Sequence, residues 1–105
     1  MKSLLLQLTG EMPLFKIVDF LVDNKGMDFS KSEIAKGAEI SRASLFQYWS
    51  VLDTHKIVKV TRTFGKAKLY TLNTNCEITR RILDLEKALI SESLSREQIM
   101  KPIAA

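Results

Sequence analysis

The feature that most constrains the fold of this 105-residue chain is a change of hydrophobic period partway along it. Up to residue 54, apolar residues recur every three or four positions, as they do on one face of an α-helix. From Ile57 to Leu72 the chain instead shows two strand-like runs separated by Gly65, the first of them rich in β-branched residues, which is typical of a β-hairpin. After Glu77 the helical period returns. Few small folds have this order of elements.

Two helices are predicted in the first third of the chain from their apolar spacing and their end signals. The first begins near Pro13 and stops at Gly26, because proline suits a first helical turn and glycine suits a C-terminal end. Ser30 and Glu33 form a capping-box pattern, which predicts a second helix over Lys31–Gly37. Between these two helices the chain has room for no more than one β-bridge.

The third predicted helix follows the N-cap residue Ser41 and runs from Arg42 to about Thr54. Leu45, Trp49 and Leu52 lie at i, i+4 and i+7, so we expect them on its buried face. Trp49 is therefore predicted to be a core residue and not a stacking platform for single-stranded nucleic acid. Two short helices joined by a tight turn and followed at once by a hairpin predict an α+β winged helix-turn-helix, with a three-helix core and a two-stranded wing.

Composition predicts one globular domain and a cytoplasmic protein. The 46% hydrophobic and 27% charged residues are ordinary for a globular chain. No apolar run reaches the ~20 residues that cross a bilayer, so no membrane partner is expected. The lone Cys76 cannot form an intramolecular disulfide, which favours a reducing compartment. We divide the chain into an apolar N-terminal arm at 1–10, a winged-helix domain at 11–75, and a C-terminal helix with a tail at 76–105.

The positive charge of the chain is concentrated in one segment. The whole chain has a net charge of +4. Between Ile40 and Cys76, six basic residues face one acid, a net charge of +5, whereas the rest of the chain holds ten bases and eleven acids. A field gathered in this way attracts a polyanion, while evenly spread charge would only aid solubility. Double-stranded DNA is therefore the expected partner.

Several short segments resemble those of a known family. They are Ser32–Ala35, Ile40–Leu45, Val51–Leu52, Ile57–Lys59, Arg62 and Leu69–Asn73. Together they resemble the winged-helix regulators of the broad MarR and ArsR group, and most of all its short archaeal members. The resemblance implies that the third helix enters the major groove, that the wing contacts the backbone or minor groove, and that flanking helices dimerise. The chain departs from the family in one turn, where Gly37 stands earlier than the usual glycine and Glu39 directly precedes Ile40.

The outward face of the third helix carries the predicted DNA-reading residues. With the apolar positions turned inward, the residues left outside or at the helix start are Ser41, Arg42, Ala43, Ser44, Gln47 and Tyr48. Arginine can pair bidentately with guanine and glutamine with adenine, and serines near a helix N-terminus suit phosphate. An ordinary solvated face would carry more lysine and glutamate. For Phe46 two positions stay open, one beneath the wing and one against a thymine methyl group.

The hairpin is the predicted wing. Arg62, Lys66 and Lys68 flank its Gly65 turn, and no acid lies near them in sequence. We expect these side chains to neutralise phosphates, with one of them able to reach the minor groove. Lysines also protect edge strands from aggregation, but five bases within residues 56–68 exceed what that protection needs.

The last predicted helix, from Glu77 to about Leu94, carries a seam of apolar residues. Ile78, Ile82, Leu85 and Leu89 are spaced by four, three and four positions, as in a short coiled coil. We predict that this seam forms a homodimer interface. The alternative is that the helix folds back onto the first helix of its own domain. Both contacts can coexist, and the Leu4–Leu8 cluster can join the same interface.

The sequence indicates no catalytic residue, no cofactor and no metal site. His55 is the only histidine and Cys76 has no partner cysteine, so neither a zinc site nor a catalytic pair is expected. Cys76 is interpreted as packing, with a redox switch as the alternative. The main rival function is a winged helix that binds protein in a transcription, replication or trafficking assembly. Such a module should expose an apolar or acidic patch on the third helix.

Overall fold

The computed structural model describes residues 3–100, with side chains described as far as residue 96. Its elements in chain order are α1 (Leu4–Thr9), α2 (Pro13–Asp23), α3 (Lys31–Gly37), α4 (Arg42–Thr54), β1 (Val58–Phe64), β2 (Ala67–Leu72) and α5 (Glu77–Met100). The predicted winged helix-turn-helix is confirmed, with α2, α3 and α4 as the three-helix core and the β1–β2 hairpin as the wing. The part of the predicted tail that follows Met100 lies outside the described residues.

Serine caps fix where the two helices of the helix-turn-helix begin. The hydroxyl of Ser30 accepts a hydrogen bond from the Glu33 N–H at 3.1 Å, and the Glu33 carboxylate accepts one from the Ser30 N–H at 2.8 Å. The hydroxyl of Ser41 accepts the Ser44 N–H at 3.0 Å in the same way. These bonds satisfy N–H groups that have no partner within the helix. The predicted capping box and N-cap are both confirmed.

The glycine that stands earlier than usual before the α3–α4 turn is explained by helix packing. Gly37 ends α3, and a Cβ at this position would overlap the ring of Phe20 on α2. Only glycine therefore allows α3 to approach α2 this closely. Glu39 adopts φ 58° in the left-handed region, where a residue other than glycine costs about 1–2 kcal/mol. Helix packing thus keeps the glycine at 37, and the turn tolerates strain two residues later.

The core lies between α2, α3, α4 and the base of the wing. The largest apolar side chains that are almost completely buried are Ile17, Leu21, Ile34, Leu45 and Leu52. Trp49 is 8% exposed, which confirms its predicted place in the core. Its ring meets that of Tyr70 edge-on, with 4.8 Å between the centroids. This contact fixes the wing against α4.

The wing is an antiparallel hairpin with one irregularity. The register changes between Val60 and Arg62, so Thr61 is an extra residue that forms a β-bulge. Gly65, at φ 59°, begins the tight turn at the tip. At the base, Phe29 and Tyr70 exchange backbone hydrogen bonds of 2.8 and 2.7 Å. This is the single β-bridge expected after the first predicted helix.

The N-terminal arm is a helix, which the sequence did not predict. Ser3 caps α1 by accepting the Leu6 N–H at 3.1 Å, and its hydroxyl donates to the Asp19 carboxylate of α2 at 2.6 Å. Leu5 is buried, and α1 packs against both α2 and α5. The six residues of α1 are too few to be stable alone, so their helical form depends on these neighbours.

The last helix is longer than predicted and projects from the domain. Its 24 residues correspond to a length of about 36 Å. The radius of gyration of the chain is 16.0 Å, whereas a compact chain of this length has about 13 Å. Within residues 3–100, no helix combines the length and the apolar character that crossing a bilayer requires.

Candidate nucleic-acid interface

The exposed side of α4 contains four of the six predicted reading residues, namely Ser41, Arg42, Ala43 and Gln47. The other two, Ser44 and Tyr48, are half-buried. Tyr48 packs against the core, and the Ser44 hydroxyl is 3.1 Å from that of Ser41. The predicted outward position of Ser44 and Tyr48 is therefore only partly correct. Their side chains are already engaged within the protein.

The exposed face of α4 is centred on other residues than those predicted from the sequence. Ala43, Phe46, Gln47 and Ser50 are all exposed and follow one another at helical spacing along this face. Phe46 is 52% exposed, so it is not covered by the wing. From the sequence, the position of Phe46 stayed open and Ser50 was not identified. The buried Leu45–Trp49–Leu52 stripe could have located this face, because the most exposed positions lie opposite it.

A groove runs between the start of α4 and the wing. Its lining includes Lys31 of α3, Arg42 and Phe46 of α4, Lys66 and Lys68 of the wing, and Tyr70 at the wing base. Four of these side chains are cations, and none of the described residues that line the groove is acidic. The structure thus brings the predicted helix residue Arg42 together with two predicted wing residues. The positive charge of these cations is therefore concentrated in the groove.

Arg62 differs from the other wing cations, because an acid lies against it. Its guanidinium donates to Asp28 from Nε at 2.9 Å and from a terminal nitrogen at 2.9 Å. The Thr61 hydroxyl donates to the same carboxylate at 2.6 Å. Consecutive residues of a regular strand point to opposite faces, so the bulge at Thr61 is what lets both reach Asp28. The expectation of a wing without nearby acid is therefore wrong at Arg62.

The Asp28 contact persists at neutral pH. Hydrogen bonds from Arg62 and Thr61 lower the pKa of Asp28 to about 2, so its carboxylate remains charged. The Arg62 side chain is still 58% exposed, but much of its charge is already balanced. Lys66 and Lys68 belong to no ion pair within the described part of the chain. They are the stronger candidates for phosphate contacts.

Lys31 is a residue of the groove that was not identified from the sequence. Its position in the first turn of α3 gave no functional signal, because the partners that matter are distant in sequence. In the structure its ammonium lies 4.9 Å from the ring centroid of Trp49, 5.6 Å from that of Phe46 and 5.7 Å from that of Tyr70. Only the packing of α3 against α4 and the wing creates this arrangement.

The predicted seam of α5 is divided in two. Ile82 and Leu89 are half-buried and pack against the core of their own domain. Ile78 and Leu85 stay exposed, at 42% and 39%. The face of α5 that meets its own domain centres on the fully buried Thr79, about 100° around the helix from Ile78. Ile82 and Leu89 thus contribute to the core of their own domain, while Ile78 and Leu85 keep more surface free; the homodimer seam stays a prediction.

The histidine and the cysteine of the chain are the residues to consider for chemical reactivity, one of each being present. Among residues 3–96, no three or more His, Cys, Asp or Glu side chains are grouped as a metal site would require. Cys76 is half-buried, and its thiol donates to the backbone carbonyl of His55 at 3.2 Å. A hydrogen bond from the backbone N–H of Thr79 lowers the pKa of Cys76.

Comparison with known proteins gives matches in structure but not in sequence. No protein-family model and no curated protein matches the chain. The transcriptional regulator PA4135 matches with a TM-score of 0.62 at 16% identity, covering 91% of this chain and 69% of its own. The MarR family transcriptional regulator SPO1453 from Silicibacter pomeroyi DSS-3 has a TM-score of 0.52 at 14% identity, covering 90% of this chain and 63% of its own.

An archaeal structure also matches. Sso10a-2, a DNA-binding protein from Sulfolobus solfataricus, has a TM-score of 0.51 at 14% identity, and the match covers 83% of this chain and 95% of that one. At identities this low, a structural match establishes the fold alone. The chain therefore has the MarR-like winged helix-turn-helix fold that its sequence predicted.

Proposed function

We propose that this chain is a sequence-specific double-stranded-DNA-binding protein that regulates transcription in the cytoplasm as a homodimer. The observation that carries the proposal is the groove between α4 and the wing, where Lys31, Arg42, Lys66 and Lys68 converge without an acid among the described lining residues. The fold matches add support, since two are named transcriptional regulators and one a DNA-binding protein.

In the proposed complex α4 lies in the major groove and the wing follows the backbone. Arg42 and Gln47 are exposed on α4 and have the donor and acceptor groups that read guanine and adenine. Phe46 lies between them on the exposed face and can contact a thymine methyl group. Lys66 and Lys68 contact phosphates, which fixes the position of α4 on the duplex without reading sequence.

The rival function, a winged helix that binds protein, is less well supported. A protein-binding α4 should present an apolar or acidic patch. The first nine residues of α4, Arg42–Ser50, contain no acid, and Phe46 is the large apolar side chain that is more than half exposed there. The larger apolar surface lies on α5, on a different element from the basic groove.

The proposed homodimer uses α5 together with the α1 region. Several large apolar side chains here are exposed and have nothing to bury them within the described domain: Leu8, Met12, Ile78, Leu85, Ile90 and Leu94. Burial of such side chains contributes roughly 1.5–3 kcal/mol each. Ile78 and Leu85 lie on one side of α5, whereas Ile90 and Leu94 lie towards the other side. A second copy that packs on the Ile78–Leu85 side would cover part of this surface.

We expect the protein to sediment as a dimer at micromolar concentration and Leu85→Glu to shift it towards monomer. A buried glutamate in an apolar interface pays a desolvation penalty that the dimer cannot offset. Lys87→Glu is the matched control, because Lys87 is exposed on another face of α5 and its change alters charge alone. A monomeric wild-type protein would contradict the homodimer, and with it a palindromic site whose halves lie about 10 base pairs apart.

The proposed function is tested by comparing Gln47→Ala with Lys66→Ala on a preferred and a scrambled duplex. The preferred duplex comes from selection out of a random pool. Loss of a base contact at Gln47 should cost about 1–3 kcal/mol on the preferred duplex alone and flatten the preference at one base pair. Loss of a phosphate contact at Lys66 should weaken both duplexes equally and lower the salt slope by about one per subunit.

Two results would count against this assignment. If Gln47→Ala leaves the ratio of the two affinities unchanged, Gln47 does not read a base. If wild-type protein binds neither duplex at low salt, duplex DNA is not the partner and protein binding becomes the leading function.

A further inference from the structure

The side chain of Lys31 sits over an aromatic surface at the edge of the basic groove. Its ammonium lies 4.9 Å from the Trp49 centroid, with Phe46 and Tyr70 within 5.7 Å. Cations are attracted to ring faces at these distances, most strongly to tryptophan. Trp49 is held in the core and Tyr70 packs against it, so the surface beneath Lys31 is rigid.

The rings hold the position of Lys31 without neutralising its charge. No carboxylate pairs with its ammonium among residues 3–96. This distinguishes Lys31 from Arg62, whose charge is balanced by Asp28 at 2.9 Å. The Lys31 ammonium has no acidic partner, and the rings restrict where it can lie. Its three N–H donors are therefore available to an anion at one position.

We propose that Lys31 binds a backbone phosphate of the duplex, held ready for it by the rings of Phe46, Trp49 and Tyr70. This inference rests on the proposed function. Lys31 lines the same groove as Arg42, Lys66 and Lys68, so the anion that enters meets cations from α3, α4 and the wing. A phosphate is negatively charged and has several acceptor oxygens. It can therefore accept hydrogen bonds from several of these cations at once.

Lys31 would link the two contacts already proposed. Base reading depends on how α4 is seated, and the wing contacts depend on the path of the backbone. A phosphate held between α3, α4 and the wing fixes both at once, because Phe46 and Trp49 belong to α4 and Tyr70 to the wing. Phe46 then has a positioning role for Lys31 beside any contact of its own with the duplex.

The test compares Lys31→Met with Lys36→Met on full-length protein. Methionine retains an unbranched side chain that can lie on the rings while removing the charge. Lys36 is an exposed lysine on the same helix, roughly 140° around the axis from Lys31, so its variant controls for lost charge alone. We expect Lys31→Met to weaken preferred and scrambled duplexes alike by about tenfold or more and to lower the salt slope by about one per subunit. Lys36→Met should change neither.

Three further measurements test the proposed site. The ε-methylene protons of Lys31 should resonate upfield of those of Lys36, because they lie over ring faces. Lys31→Arg should recover the salt slope, since arginine keeps the charge and stacks on aromatic rings. Inorganic phosphate at constant ionic strength should leave the Lys31 resonances almost unmoved, whereas the duplex should shift them to saturation.

The outcomes separate this inference from the proposed function. If wild-type protein binds the duplex and Lys31→Met keeps the full salt slope, the Lys31 contact is refuted while the proposed function stands. If inorganic phosphate alone saturates the Lys31 shift at submillimolar concentration, the site belongs to a free phosphorylated ligand and the duplex assignment is overturned. If wild-type protein binds no duplex, the proposed function falls first.

Discussion

Raising the salt concentration from 50 to 200 mM should weaken binding to a mixed-sequence duplex by about 10³–10⁵-fold. This is the largest effect expected of the protein. Four cations line the groove of each subunit, so a dimer presents enough charge for about 6–10 phosphate contacts. Each contact releases counterions from the DNA, and their release becomes less favourable as salt rises. Fluorescence anisotropy of a labelled duplex at four or five salt concentrations measures the slope.

The structure supplies a matched pair of variants for this experiment. Lys68→Gln removes a wing cation that belongs to no ion pair among the described residues, whereas Arg62→Gln removes one that Asp28 already balances. We therefore expect Lys68→Gln to lower the slope by about one per subunit and Arg62→Gln to lower it less. Equal losses from the two variants would show that Asp28 does not offset Arg62. A flat salt dependence in the wild type would remove the electrostatic basis of the proposed function.

The second large effect concerns the residue beneath the basic groove. Trp49→Ala should reduce the free energy of unfolding by about 3–5 kcal/mol, because it deletes a buried indole and leaves a cavity next to Tyr70. For a domain of this size such a loss approaches the whole stability. Urea titration followed by far-ultraviolet circular dichroism measures the change, and the midpoint should fall sharply.

Phe46→Ala is the control for Trp49→Ala. Phe46 is also an aromatic residue of α4, but it is 52% exposed, so its truncation leaves no enclosed cavity. We expect it to cost under about 1 kcal/mol, in the range of surface substitutions. If the two variants destabilised the protein equally, the division of α4 into a buried side and an exposed side would be wrong.

The sequence predicted what local chemistry determines. The bounds of α3 follow from the capping box of Ser30 and Glu33, and the buried face of α4 follows from the spacing of three apolar residues. The wing was recognisable because a β-branched run and a second strand-like run flank Gly65. Each of these patterns involves only residues that are close in sequence, so it can be recognised from the sequence alone.

The remaining features depend on contacts between distant residues. Asp28 and Arg62 are 34 positions apart, and only the fold and the bulge at Thr61 bring them together. Lys31 acquires its aromatic surface from residues of two other elements. The spacing of the α5 seam shows that its residues share one side of the helix. The spacing does not show which side of α5 faces the rest of the domain. The packing of α5 on its own domain decides this orientation, and it leaves Thr79 buried and Leu85 exposed.

The attachment of the wing bears on the conformational entropy that the proposed DNA binding would cost. Its base is tied to the segment before α3 by the Phe29–Tyr70 bridge, by the bonds of Asp28 to Arg62 and Thr61, and by the Thr71 hydroxyl, which donates to the Met27 carbonyl at 2.7 Å. Ordering one residue of flexible backbone costs about 1–2 kcal/mol. The described contacts restrain the base before any ligand arrives, so little backbone entropy is left to lose there. The base would thus be aligned with α4 in advance, and more of the proposed interaction energy would remain available as affinity.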